Sequence, residues 1–203
     1  MSLASARRPW LPAPCLVCLV CGLAPPPAVA QDRPGLYETI DLTLTVLGDV
    51  NRGTLHRYWS PGPAFGIGAA LPFYLGTIEA GAQYAHPEAR RGDVPGFRSL
   101  LVYAGWGGTR RLGPRLRAGG GLRVGVMAMR FDGDTIPAFR RRESELAVAA
   151  RADLRWTPRG PWFAEAAVTY QSVLTRHHIE QVFLSAGLGR RFGTPRWLRD
   201  FLD

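Results

Sequence analysis

The stretch from Glu143 to Gln171 constrains the fold more than any other part of the chain. In ESELAVAARADLRW, residues Leu146, Val148, Ala150, Ala152, Leu154 and Trp156 take every second position, with Glu145, Arg151, Asp153 and Arg155 between them. A period of two defines a strand with one apolar and one charged face. After the link TPRGP, Trp162, Ala164, Ala166, Val168 and Tyr170 continue the apolar set against Phe163, Glu165, Thr169 and Gln171. The two halves read as one hairpin.

Soluble sandwiches and barrels bury their bulky apolar face and use strands of about five or six residues. Both strands here are longer, with Trp156 and Trp162 at the turn end and Tyr170 at the other. A tilted bilayer crossing takes about 9–11 residues and carries aromatic ends. The pattern therefore predicts an apolar face toward lipid and a charged face toward a barrel interior.

With this hairpin as template, eight strands are expected: 37–47, 62–71, 77–84, 97–108, 115–130, 143–156, 162–171 and 181–192. The connections Gly48–Pro61, Ala85–Gly96, Phe131–Arg142 and Leu174–Glu180 are long and polar. Pro72–Tyr74, Thr109–Pro114 and Thr157–Pro161 are short, so long loops and short turns sort to opposite ends. An even number of strands can close on itself and abolish its edges. The expected fold is all-β: one eight-stranded antiparallel up-and-down transmembrane barrel over 31–192, with a short periplasmic tail over 193–203.

Residues 1–30 read differently. Arg7 and Arg8 precede an uncharged run, and Ala28-Val29-Ala30 before Gln31 has the small-x-small form of a cleavage site. This predicts a secretory signal peptide, and Pro12, Pro14 and Pro25 to Pro27 argue against an uncleaved anchor helix. All three cysteines, Cys15, Cys18 and Cys21, lie within it, so a mature chain would have neither disulfide nor cysteine metal site. All 25 basic residues are Arg, and loss of Arg7 and Arg8 would take the net charge from +9 to +7. Charge alone selects no partner, and no nucleic-acid role is expected.

The alternation and loop sorting resemble the small eight-stranded outer-membrane barrels, of the kind formed by the transmembrane domain of outer membrane protein A and by outer membrane protein X. The resemblance covers Tyr37 to Phe192. Its most specific part, Val182 to Phe192 (VFLSAGLGRRF), is similar to the carboxy-terminal signal read by the barrel assembly machinery. Family members usually stop at that aromatic, whereas Gly193 to Asp203 follow here. The resemblance implies an outer-membrane location, lipid and lipopolysaccharide as surroundings, and a monomer without cofactor.

The inward set contains Asp41, Glu79, Glu145, Asp153 and Glu165 against Arg117, Arg123, Arg151, Arg155 and Arg191. Eight strands enclose a space that side chains just fill, so these charges are expected to neutralise one another as a plug. Arg52, Arg57, Arg90, Arg91, Arg140, Arg141, Arg142 and Arg176 fall in or beside the long loops. Guanidinium forks pair bidentately with phosphate, which makes them candidates for lipopolysaccharide contacts. Some small barrels are lipid A deacylases or palmitoyltransferases, which leaves a lipid A-modifying acyl hydrolase or transferase as the alternative, and Ser172 with His177 or His178 and Glu180 is the nearest set to an acyl hydrolase. The His-x-Ser spacing of such enzymes is absent, and a non-enzymatic structural or surface-interaction role is expected instead. A third reading is a soluble secreted barrel that binds an apolar ligand. No metal site is expected at the adjacent His177 and His178, which would point apart on an extended strand. Thr194-Pro195 resembles a helix cap ahead of Trp197, Leu198, Phe201 and Leu202.

Overall fold

The computed structural model describes residues 37–51, 54–74, 76–90, 94–132, 142–175 and 179–202. The expected signal peptide, Arg52, Arg91, Arg140, Arg141, Arg176, His177 and His178 lie outside them.

Eight strands close into a barrel: β1 (Thr39–Asp49), β3 (Ala64–Phe73), β4 (Gly76–Ala85), β6 (Phe97–Arg111), β7 (Leu116–Phe131), β8 (Arg142–Trp156), β9 (Trp162–Val173) and β10 (Ile179–Gly193). Each pairs antiparallel with its neighbours in sequence, and β1 closes the sheet on β10 through registers such as Leu44↔Leu188. The hairpin that anchored the sequence reading is β8–β9, paired from Ala147↔Val173 to Trp156↔Ala164. Its link turns at Gly160, where φ is 84°, a conformation open to glycine at no steric cost.

Two turns are tighter than the sequence suggested. β3 continues through Pro72 to Phe73, which pairs with Gly76. Proline is tolerated there because the β1 ladder has already ended at Asp41↔Ala70, so the missing N–H is not needed. The β6–β7 ladder likewise extends to Arg111↔Arg117, since ladder hydrogen bonds need no apolar side chain.

The first long loop is not merely polar. It holds α1 (Thr54–Tyr58) and β2 (Trp59–Ser60), and β2 pairs with β5 (Glu88–Ala89) in the second loop. Both loops thereby form a small cap at the long-loop mouth.

The outward face is apolar and open: Leu44 and Leu122 are 65% exposed and Leu188 67%. Phe65, Tyr84 and Tyr170 edge this band at the long-loop end, and Trp106, Trp156, Trp162 and Phe192 at the short-turn end. After β10, α2 (Arg196–Leu202) starts from the Pro195 carbonyl, which accepts from Leu198 N at 3.1 Å and Arg199 N at 3.2 Å. Thr194 does not cap it: its Oγ1 is buried without a partner, and its backbone N–H instead donates to Glu38 O at 2.9 Å. No helix among the described residues is long and apolar enough to cross a membrane.

Candidate functional site

The inward face divides into two layers. Near the short turns it is ionic. Glu79 on β4, Gly105 on β6 and Arg123 on β7 stand in one register line. Because Gly105 has no side chain, Arg123 reaches across it and donates to Glu79 through Nε at 2.6 Å and Nη2 at 2.8 Å. A Cβ at Gly105 would meet Glu79 Oε1 at 2.8 Å, so the glycine is a requirement of the pair. Arg123 also lies 4.4 Å over the Tyr103 ring, a cation–π contact.

The second ionic group centres on Arg155. It donates to Glu165 Oε2 from Nη2 at 2.9 Å and, across the barrel, to Asp41 Oδ2 from Nη1 at 2.6 Å. Arg191 donates to Asp41 Oδ1 from Nε at 2.8 Å. Arg151 bonds Glu165 Oε1 and lies 3.5 Å from Asp153 Oδ1. Phe163 lies under Arg155, 4.2 Å from ring centroid to guanidinium carbon. Two members of the expected network stand apart: Glu145 and Arg117 have no ion-pair partner among the described residues. Glu145 is placed opposite Met127, beyond the ionic layer, and Arg117 at the short-turn mouth between Arg111 and Arg155.

Toward the long loops the interior is apolar, which the sequence reading missed. Leu55 of α1 packs with Phe97, Leu101, Met127, Met129, Ala147 and Val173, against Trp59, Tyr103, Phe131 and Ile179. Leu47, Ala64 and Phe183 form a second cluster. Trp59 anchors the cap by donating Nε1 to Pro95 O at 2.7 Å and meeting Phe97 edge-on at 5.4 Å. The signal was available in two places. Leu55 and Trp59 are four residues apart, one helical turn, and Val126-Met127-Ala128-Met129 is apolar on both faces.

A polar thread runs beside these clusters. Gln171, 1% exposed, donates to Gln181, which donates to Asp49, each at 3.3 Å. His56 Nε2 lies 3.8 Å from Asp49 Oδ2. Between the ionic and apolar layers a cavity of about 10 Å³ is lined by Gln83, Tyr103, Arg123, Thr169 and Gln171 among others, room for one water. Thr169 Oγ1, buried and without a protein partner, is the group such a water would satisfy.

Of the loop arginines, Arg57 is exposed, with its guanidinium carbon 5.8 Å from the Tyr58 ring centroid, while Arg90 and Arg142 are exposed at the long-loop rim. Ser172 faces outward and stands opposite Glu180 in the β9–β10 register. The Glu180 carboxylate is already held by the Tyr170 hydroxyl, which donates to it at 2.9 Å. Among the described residues no His, Cys, Asp and Glu cluster has the form of a metal site.

No protein-family model matches the chain, and no curated protein sequence matches it. Solved structures do match its fold. Neisserial surface protein A is 11% identical, with a TM-score of 0.57 over 76% of this chain and 96% of its own. Outer membrane protein H of Pseudomonas aeruginosa is 17% identical, with a TM-score of 0.51 over 76% and 99%. The N-terminal β-barrel domain of P. aeruginosa OprF is 13% identical, with a TM-score of 0.50 over 77% and 99%. With its closed antiparallel order and its apolar outer band, the chain has the fold of the small eight-stranded outer-membrane β-barrels.

Proposed function

We propose that the chain is exported by residues 1–30 and resides in the outer membrane as a monomeric, non-enzymatic barrel, its interior plugged and its long loops serving surface contacts. The observation that carries this reading is the outward band of large apolar side chains, edged by aromatic rings at both ends. A soluble barrel would leave that contiguous band open to water, whereas soluble monomers rarely expose apolar patches larger than roughly a few hundred Å². The soluble ligand-binding reading therefore has no support from the outer face. Cell fractionation tests the location, and recovery in the soluble periplasmic fraction would reject it.

The plug reading is supported by the layering, in which paired arginines fill one half and apolar side chains under α1 fill the other. Purified, folded protein in planar bilayers is expected to give negligible conductance, and steady ohmic channels would refute the plug. Cleavage is expected after Ala30, so amino-terminal sequencing of the mature protein should begin at Gln31 and not at Met1.

The surface role proposed is contact with lipopolysaccharide phosphates by Arg57, Arg90 and Arg142, joined by Arg52, Arg91, Arg140, Arg141 and Arg176. The barrel assembly machinery is proposed to read the last strand through Phe192. A lipid A-modifying enzyme, acyl hydrolase or transferase, is the lesser reading. Released acyl chain from lipid A, lost in Ser172→Ala, would establish it against the non-enzymatic proposal.

A further inference from the structure

The mouth at the short-turn end carries positive charge that no carboxylate among the described residues pairs with in full. Arg111, Arg117 and Arg155 stand directly opposite one another on β6, β7 and β8, through the registers Arg111↔Arg117 and Arg117↔Arg155. Arg117 and Arg155 belong to the inward set, and Arg111 shares their parity at the exposed end of β6. Directly opposed residues have Cβ atoms about 4.5–5.5 Å apart, and like charges so placed repel. Arg155 is relieved by Asp41 and Glu165. Asp41 is already shared with Arg191, and Glu165 with Arg151. Arg111 and Arg117 have no carboxylate partner among the described residues. Arg117 is moreover half-buried, within the field of Arg111, Arg155 and Arg191. A solvated rim arginine avoids such neighbours by swinging into water, which the half-burial of Arg117 restricts.

We propose that Arg111 and Arg117 form a binding site for a phosphate-class oxyanion at the short-turn mouth. Arg111 and Arg117 stand opposite each other on adjacent strands, and each guanidinium fork offers the paired N–H donors that phosphate oxygens accept. An anion between them would convert the repulsion into two charge-assisted contacts. The same chemistry is supplied by free phosphate or by the phosphodiester of a phospholipid headgroup. The arginine geometry does not depend on where the barrel resides, so this inference can fail without the membrane reading, and the reverse.

The test uses the refolded full barrel in non-ionic detergent. Its thermal midpoint is followed on titration with inorganic phosphate, and separately with short-chain phosphatidylglycerol, against chloride at matched ionic strength. At least one of the two is expected to raise the midpoint saturably. Inorganic phosphate acting would mean that a free oxyanion suffices. Phosphatidylglycerol acting alone would make the headgroup the ligand, and either supports the site. Arg117→Gln should weaken the response about tenfold, the loss of one charge-assisted contact. Without added anion the same variant should melt no lower than the wild type, because it removes a repulsive charge. Arg111→Gln, at an exposed position, repeats the test where folding is not at issue, and Arg98→Gln at the opposite mouth, where Arg98 already lies 3.7 Å from Asp132, should respond as wild type. If neither anion exceeds chloride, or if both Gln variants keep the full response, the site does not exist.

Discussion

Replacing Glu165 with Ala is expected to cost about 3–5 kcal/mol of folding stability, the penalty for leaving buried charges without their partner. Its side chain is 6% exposed and is shared by Arg151 and Arg155, so one truncation strands two guanidinium groups. Asp41 can hold only part of Arg155, because Arg191 already occupies both of its oxygens. Glu165→Gln should cost less, since an amide oxygen still accepts one hydrogen bond while the charge is lost. The double change Arg151→Met with Glu165→Leu should recover part of the loss, as apolar replacements of a buried ion pair often do. Urea unfolding from lipid vesicles measures all three. A cost under about 1 kcal/mol for Glu165→Ala, the range of exposed pairs, would mean that water enters the ionic layer. The plug reading would fail with it.

The two faces of the barrel were legible because a strand's side chains alternate strictly, so a run such as Leu146 to Trp156 fixes both at once. The ion pairs were legible only as a list of charges. Arg123 and Glu79 are 44 residues apart and meet because the register sets Gly105 between them, and register is a property of the closed sheet. The same holds for Arg155 and Asp41, which meet across the interior. Arg117 and Glu145 show the limit from the other side: both have the right parity, and neither sits opposite an opposite charge. The apolar layer is hidden in the sequence for a different reason. Met127, Met129, Phe97 and Leu101 share the inward parity of the charges, and the alternation alone does not separate them into a layer of their own. Loss of alternation in VMAM marks a segment with apolar neighbours on both sides, and the cap at Leu55 and Trp59 supplies the inner ones.

On the outer face, Val148→Arg should cost about 2–4 kcal/mol, the penalty for a guanidinium near the bilayer midplane. Val148 is 40% exposed, lies between Val124 and Ser172 on the neighbouring strands, and is two residues from the middle of the Leu146–Leu154 band. Val148→Leu should be nearly neutral, because the added methylene lies in lipid. The difference between the two variants therefore isolates charge from size. The adjacent Ala149 tests the inward face, where size costs first and the sign of the charge decides the rest. It is 8% exposed and faces Arg123 and Gln171 beside a cavity of about 10 Å³. A larger side chain there overpacks at a cost of about 1–3 kcal/mol whatever its charge. On top of that, Ala149→Arg places like charge against Arg123, whereas Ala149→Glu offers it a partner. Glu should thus be tolerated better than Arg at 149, and Leu far better than Arg at 148. Refolding titrations in phospholipid vesicles read every variant on one scale. If Val148→Arg were as stable as Val148→Leu, the face that carries Leu44, Leu122 and Leu188 would not lie in lipid, and the barrel would have to bury it against protein instead.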